Sequence, residues 1–405
     1  MTVQNSRRLL LAGFVASLAM ATTAQAQKRY DTGATDTEIK IGNIHPYSGP
    51  ASAYGTIAKA AGAYFTKVNT EGGINGRKIN FISYDDAYSP AKTVEQARKL
   101  VEQDEVLAIF LPLGTSQNLA IQKYMNAKKV PQLFVATGAT RWGNIQENPW
   151  TIGWQPTYQS EARAYAQHIL KNSPNAKIAV LMQNDDFGKD YQKGLLDGLG
   201  DKAKSMIVTT QTYETSDPTI DSQIVTMKGT GADTLIILAT PKFAAMAIKK
   251  AAEVNWTPAR YLSNVSNSVG SVLKPAGLDA SKGLYSANYL RDPTDPAVQT
   301  TKEYQDFSAF MKRYYPGGDS TDVLNLIGYS SAQTLVQTIK QAGDNLTREN
   351  LMKQALSLNM TLPMLYPGIN VSTSASNAYP VEQWQMIQFN GTRYESTGGI
   401  LGGGR

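Results

Sequence analysis

Side chains able to do acid–base, nucleophilic or metal chemistry are few in this chain. It holds two histidines and no cysteine in 405 residues. That removes thiol, disulfide and Cys–metal chemistry and leaves too few imidazoles for a zinc centre. His45 stands before Pro46 in a loop, within reach of a ligand there, while His168 lies in a stretch of helical period and reads as a surface or core residue. Two adjacent acidic pairs, Asp85–Asp86 and Asp185–Asp186, follow strand-like runs. Such pairs could hold a cation, but at a strand end their oxygens ordinarily close the turn and cap the next helix. No HExxH, GxSxG or P-loop spacing occurs. The glycine-rich run at 71–76 joins a helix to a strand, so it is a turn rather than a phosphate loop. No enzyme, metal or cofactor is expected. What remains is non-covalent capture by hydroxyls, aromatic rings and backbone amides.

The elements that must position those groups alternate. Strand-like runs fall at 38–42, 79–84, 106–111, 132–135, 177–182, 206–210 and 234–239, separated by segments of helical period. Ala53, Ile57, Ala60, Ala61, Tyr64 and Val68 share one helical face, as do Val94, Ala97, Leu100 and Val101. This β-α-β-α order predicts parallel sheets with helices on both faces. The pattern breaks at Asn148-Pro149-Trp150 and resumes at Tyr158, placing a lobe boundary near 153–156. The glycine-rich tail at 398–403 reads as frayed. Ligands of open parallel sheets bind beyond the carboxyl ends of the strands. The loops to watch are therefore 45–54, 112–116, 136–142, 183–188, 240–243 and 263–268.

Composition bounds the rest. Hydrophobic residues make up 42% and charged residues 18%, which suits a folded chain large enough for two lobes. Arg7 and Arg8, an apolar run from Leu9 to about Ala21 and Ala24-Gln25-Ala26 read as a signal peptide cleaved near Ala26. Ser6-Arg7-Arg8 faintly resembles a twin-arginine signal, but ordinary export is the favoured route. Beyond residue 26 the chain carries 37 basic and 33 acidic side chains, a balance of +4, with no basic run. Nothing there points to nucleic acid. The expected location is the periplasm.

Along the chain stand, in order, Ile39-Lys40-Ile41-Gly42, Ser48-Gly49-Pro50, Tyr54-Gly55, Asn69, Gly72-Gly73-Ile74-Asn75-Gly76, Tyr84-Asp85-Asp86, Ser89-Pro90, Gln117, Asp186-Phe187-Gly188 and Gly283-Leu284. Together these motifs resemble the branched-chain amino-acid binding proteins, type I periplasmic binding proteins that serve ABC importers. The resemblance implies two doubly wound α/β lobes joined by three crossovers, near residues 153, 286 and 363. It divides the chain into 27–153 plus 287–362 for the first lobe and 154–286 plus 363–405 for the second. A ligand gripped by the first lobe would be covered by the second on hinge closure and handed to a membrane permease. The protein is expected to be monomeric. A sensory module on the same fold is the lesser alternative.

By the same resemblance, two loops hold the ligand carboxylate: Leu113, Gly114 and Thr115 at the start of a helix, and Thr137, Gly138, Ala139 and Thr140. Helix N-terminal amides are unpaired and sit at a positive dipole end, so they suit an anion. The departures narrow the ligand. Hydroxyl residues in the amino-acid binders align with Leu113 and Ala139 here. The glutamate that pairs with a ligand ammonium aligns with Val265, between Asn264 and Ser266, and a tyrosine aligns with Thr240. A buried charge left without its partner costs about 3–5 kcal/mol, a hundredfold or more in affinity. Unless Asp185 turns inward, the expected ligand keeps its carboxylate and lacks the ammonium. Tyr54, Trp142, Trp154 and Phe187 are the aromatic candidates for the cleft, and Arg141 is a candidate cation for the carboxylate. The expected ligand is an aromatic or hydrophobic carboxylic acid, with a branched-chain or other hydrophobic amino acid as the alternative.

Overall fold

The computed structural model describes residues 28–402; the signal-peptide reading lies outside them. The first sheet has five parallel strands, β1 (Glu38–His45), β2 (Lys78–Asp85), β3 (Ala108–Phe110), β4 (Gln132–Val135) and β5 (Thr151–Gly153), in the order β2-β1-β3-β4-β5. The second has seven: β6 (Ile178–Gln183), β7 (Ile207–Tyr213), β8 (Thr234–Leu238), β9 (Ala259–Leu262), β10 (Tyr285–Asn288), β11 (Trp384–Phe389) and β12 (Tyr394–Leu401). Their order is β12-β11-β10-β9-β8-β6-β7. Every residue of β6 and β8 is buried, which explains why each reads as an unbroken apolar run; helices cover both faces of a parallel sheet.

The alternation predicts both parallel sheets, with two corrections. Strands β11 and β12 run antiparallel, β11 against β10 and β12 against β11. The tail from Gly398 to Leu401 belongs to β12, with Ile400 opposite Gln385 and Leu401 opposite Trp384. Ladder pairing holds it in place despite its glycines.

The helices that bear on the cleft are α1 (Gly55–Thr70), α2 (Pro90–Glu102), α3 (Thr115–Lys128), α4 (Tyr158–Asn172), α5 (Asp186–Leu199) and α6 (Val323–Ala342). Late in sequence, α6 returns to pack on α1 of the first lobe. At Gly328 a Cβ would lie 2.0 Å from the Ile57 carbonyl, so only glycine permits this approach. The chain passes between the sheets three times: after β5, after β10 and before β11. The last two passages touch through a Leu290–Leu365 bridge and the Tyr366 N–H to Tyr289 carbonyl bond of 3.0 Å.

Candidate functional site

Between the sheets lies a partly open cleft of about 450 Å³, counting space open to solvent. The first lobe contributes Tyr54, Ile57, Tyr88, Leu113, Gly114 and Thr115, with Ala136 beside them. Gln155 and Tyr158 enter from the first crossover, Phe187, Thr240 and Val265 from the second lobe, and Leu324 and Ile327 from α6. No Asp, Glu, Lys, Arg or His stands in this wall.

The floor is built from strand ends. Leu113 N–H donates to the Ile44 carbonyl and Ala136 N–H to that of Pro112, and Leu113 bridges Ala136 in parallel. The chain then turns at Gly114, whose φ of 99° suits glycine alone, and enters α3. Asn118 N–H makes the first helical bond, to Gly114 O at 3.1 Å. The amides of Thr115, Ser116 and Gln117 precede it and have no helical acceptor.

Above the floor, three tyrosines seam the two sides. The Tyr54 hydroxyl lies near Ser266, that of Tyr88 near Gln183 and that of Tyr158 near Thr137. Burial pushes all three phenols upward in pKa, so they stay neutral. Tyr158 meets Phe187 edge-on at 5.2 Å and stacks on Tyr191 at 4.4 Å. Further ties cross the cleft: Ser116 Oγ to Asp185 Oδ2 at 3.1 Å, and the Thr140 N–H to Asp190 Oδ2 at 2.9 Å. The arrangement is a small, largely apolar chamber with unpaired amides at one end.

A periplasmic binding protein family model matches residues 38–393. The chain belongs to that family. Among curated relatives it is similar to Leu/Ile/Val-binding protein homolog 7 of Brucella suis biovar 1 (strain 1330), 23% identical over 322 residues, covering 75% of this chain and 77% of the relative. Among solved structures it is similar to a branched-chain amino-acid ABC transporter protein from Thermus thermophilus with bound valine, with TM-score 0.81, 15% identity and coverage of 91% and 97%. It is also similar to an ABC transporter solute-binding protein from R. palustris in complex with benzoate, with TM-score 0.76, 19% identity and coverage of 90% and 98%. This periplasmic binding protein is thus a solute-binding component of the ABC-transporter type, and not an enzyme. Its family places it outside the cytoplasm.

Of the residues singled out in the sequence, Tyr54, Leu113, Gly114, Thr115, Phe187, Thr240 and Val265 come together in the cleft wall of this binding protein. The others stand outside the wall. Thr137 shares a 2.6 Å hydroxyl bond with Thr115, both buried. The Gly138 carbonyl accepts the Tyr158 N–H, and that of Ala139 accepts the Trp142 N–H. Thr140 gives both its N–H and its hydroxyl to Asp190. The Trp142 indole N–H points to Thr137, and Trp154 donates to Thr334 while its ring meets Tyr289. Arg141 reaches Gln122 Oε1 at 3.3 Å.

Asp185 caps α5. Its carboxylate accepts from the Phe187 and Gly188 amides, from Ser116 Oγ and from Gln183 Nε2, and it does not line the cleft wall. The Asn264 backbone N–H donates to Glu161 at 2.7 Å, as does its side-chain amide, while Ser266 also donates to the Ala239 carbonyl. Asp85 closes its turn through the Tyr47 and Ala87 amides, and Asp86 through Tyr88 N–H and Thr93 Oγ1. His45 is wholly buried, and burial pushes its imidazole down to about 3. His168 pairs with the Tyr261 hydroxyl at 2.8 Å. No metal-holding cluster occurs among the described residues.

Sequence reasoning missed Ile57, Tyr88, Gln155, Tyr158, Leu324 and Ile327 as wall residues. Ala136 lies in a loop the fold argument flagged. Ile57 and the Leu324–Ile327 pair share the helical spacing of core residues and carried no distinguishing signal. Gln155 sits between Trp154 and Pro156 in the crossover, where a polar residue was the available hint.

Proposed function

We propose that this chain is the extracytoplasmic binding component of an ABC importer for a hydrophobic or aromatic carboxylic acid without an α-ammonium group. The observation that carries this reading is the uncharged cleft wall with Val265 in it. An amino acid closed into this chamber would leave its ammonium facing hydrocarbon and neutral phenols, since Asp185 is committed to its cap. A carboxylate has a natural seat on the Thr115–Gln117 amides, where helix geometry supplies donors without a countercharge. In this reading Leu113, Val265, Ile57 and the aromatic rings hold the rest of the ligand, and the Thr137–Thr140 loop supports the seat from behind.

Capture proceeds by closure of lobe one (27–153 plus 287–362) against lobe two (154–286 plus 363–405), with the tyrosine seam forming as water leaves. A membrane permease then meets the closed, monomeric protein. Names of relatives favour a branched-chain amino acid instead. Thermal unfolding of ligand-stripped protein separates the two readings, using leucine, valine, benzoate and phenylglyoxylate. A ligand at a hundred times its Kd adds about 2.7 kcal/mol. Stabilisation by the acids alone is expected; stabilisation by leucine or valine alone would overturn the ligand class.

A further inference from the structure

The cleft wall contains six polar side chains, and of these only Gln155 holds a sealed polar atom without a partner. Thr115 is bonded to Thr137, and Thr240 to Tyr213 and Gln183. The three tyrosine hydroxyls lie near Ser266, Gln183 and Thr137. Gln155 is different. It is 8% exposed, its Nε2 is sealed from solvent, and that nitrogen has no hydrogen-bond partner.

Nor can the side chain easily leave. Trp154 before it is tied to Thr334 and packed on Tyr289. Pro156 after it has a fixed φ and lies against Gly138, where a Cβ would come within 2.6 Å of the Pro156 carbonyl. Thr157 then caps α4 through the Ser160 amide at 3.2 Å. The amide is therefore held at the cleft wall by a backbone fixed on both sides. Water can serve it while the cleft is open. A purely hydrocarbon ligand that displaced this water would strand a buried donor, which is costly.

We infer that Gln155 donates through Nε2 to a second oxygen of the ligand, so that the bound acid carries a hydroxyl or oxo group besides its carboxylate. This rests on the carboxylic-acid reading above and narrows it. Polar sites discriminate strongly against analogues lacking the matching group because the protein's own donor is then left bare. A difference of roughly tenfold or more in Kd is expected.

The test is isothermal titration of the ligand-stripped chain with two pairs of acids: benzoate with 4-hydroxybenzoate, and 3-phenylpropanoate with phenylpyruvate. Wild type should bind the oxygenated member of at least one pair at least tenfold more tightly. Gln155→Leu should reduce that difference to within threefold. Gln155→Met repeats the comparison should the leucine variant fold poorly, and the wild-type preference stands as a test without either. Equal affinities within both pairs, or a preference that survives in the variant, would overturn the role of Gln155 and leave the carboxylate reading intact. Binding of leucine with none of the four acids bound would remove the carboxylate reading, and this inference with it.

Discussion

At Val265 a branched hydrocarbon faces the chamber, packed with Leu113, Phe187 and Leu324 in one wall. No neighbouring carboxylate compensates, because Asp185 spends its oxygens on two backbone amides, a serine and a glutamine. A single side chain therefore sets much of the ligand class. Val265→Glu is expected to shift the Kd ratio of leucine to 4-methylpentanoate at least tenfold toward leucine, since a buried ammonium gains several kcal/mol from a partner. Isothermal titration reads the ratio directly; no change would mean that an ammonium does not lie against this position. Val265 and the Gly114–Thr115 turn were legible because motif order fixed their place and helix-end chemistry gave the turn a purpose. Trp142 and Trp154 were not separable from cleft aromatics by sequence, because a large ring beside a loop serves a core or a ligand equally. The structure ties both indoles to threonines.

Elements decide where those side chains point. The seven strand-like runs were readable because parallel strands buried on both faces become continuous apolar stretches, and each run meets a strand of the fold. The short β5, β9 and β10 and the antiparallel β11–β12 pair lacked that signal. Helix α6 escaped as a wall element because it reaches the cleft only through a glycine contact with α1, a feature of packing rather than of local pattern. Beneath the Asn264–Ser266 loop, Glu161 joins α4, α5 and that loop through Tyr165, Tyr191 and Asn264. Burial raises this carboxyl to about 7 against its hydrogen bonds. The folded state thus holds a proton that the unfolded chain releases near 4.5. Its contribution is fully present below pH 4.5 and is lost as pH rises through 7, an effect of about 3 kcal/mol at most. Glu161→Gln should flatten this slope, so the wild-type advantage in melting temperature is expected to shrink from pH 5 to pH 8. A difference constant across that range would contradict the assignment.

Across the whole molecule, hydroxyl and amide donors tie the two sides of the cleft together. Tyr54, Tyr88 and Tyr158 line it with neutral hydroxyls, while Ser116 and Thr140 reach Asp185 and Asp190, and Ser268 and Ser271 donate to Asp322 at the start of α6. Each pair is satisfied without a ligand charge, so a bound molecule must bring only what the chamber lacks: an anion for the amides of α3 and surface for the rings. The most direct test of this account is titration of wild-type, ligand-stripped protein with 3-phenylpropanoate and phenylalanine, which differ only by the α-ammonium. The acid is predicted to bind at least a hundredfold more tightly. Equal binding, or tighter binding of phenylalanine, would show that the cleft accepts the ammonium and would contradict the proposed ligand class.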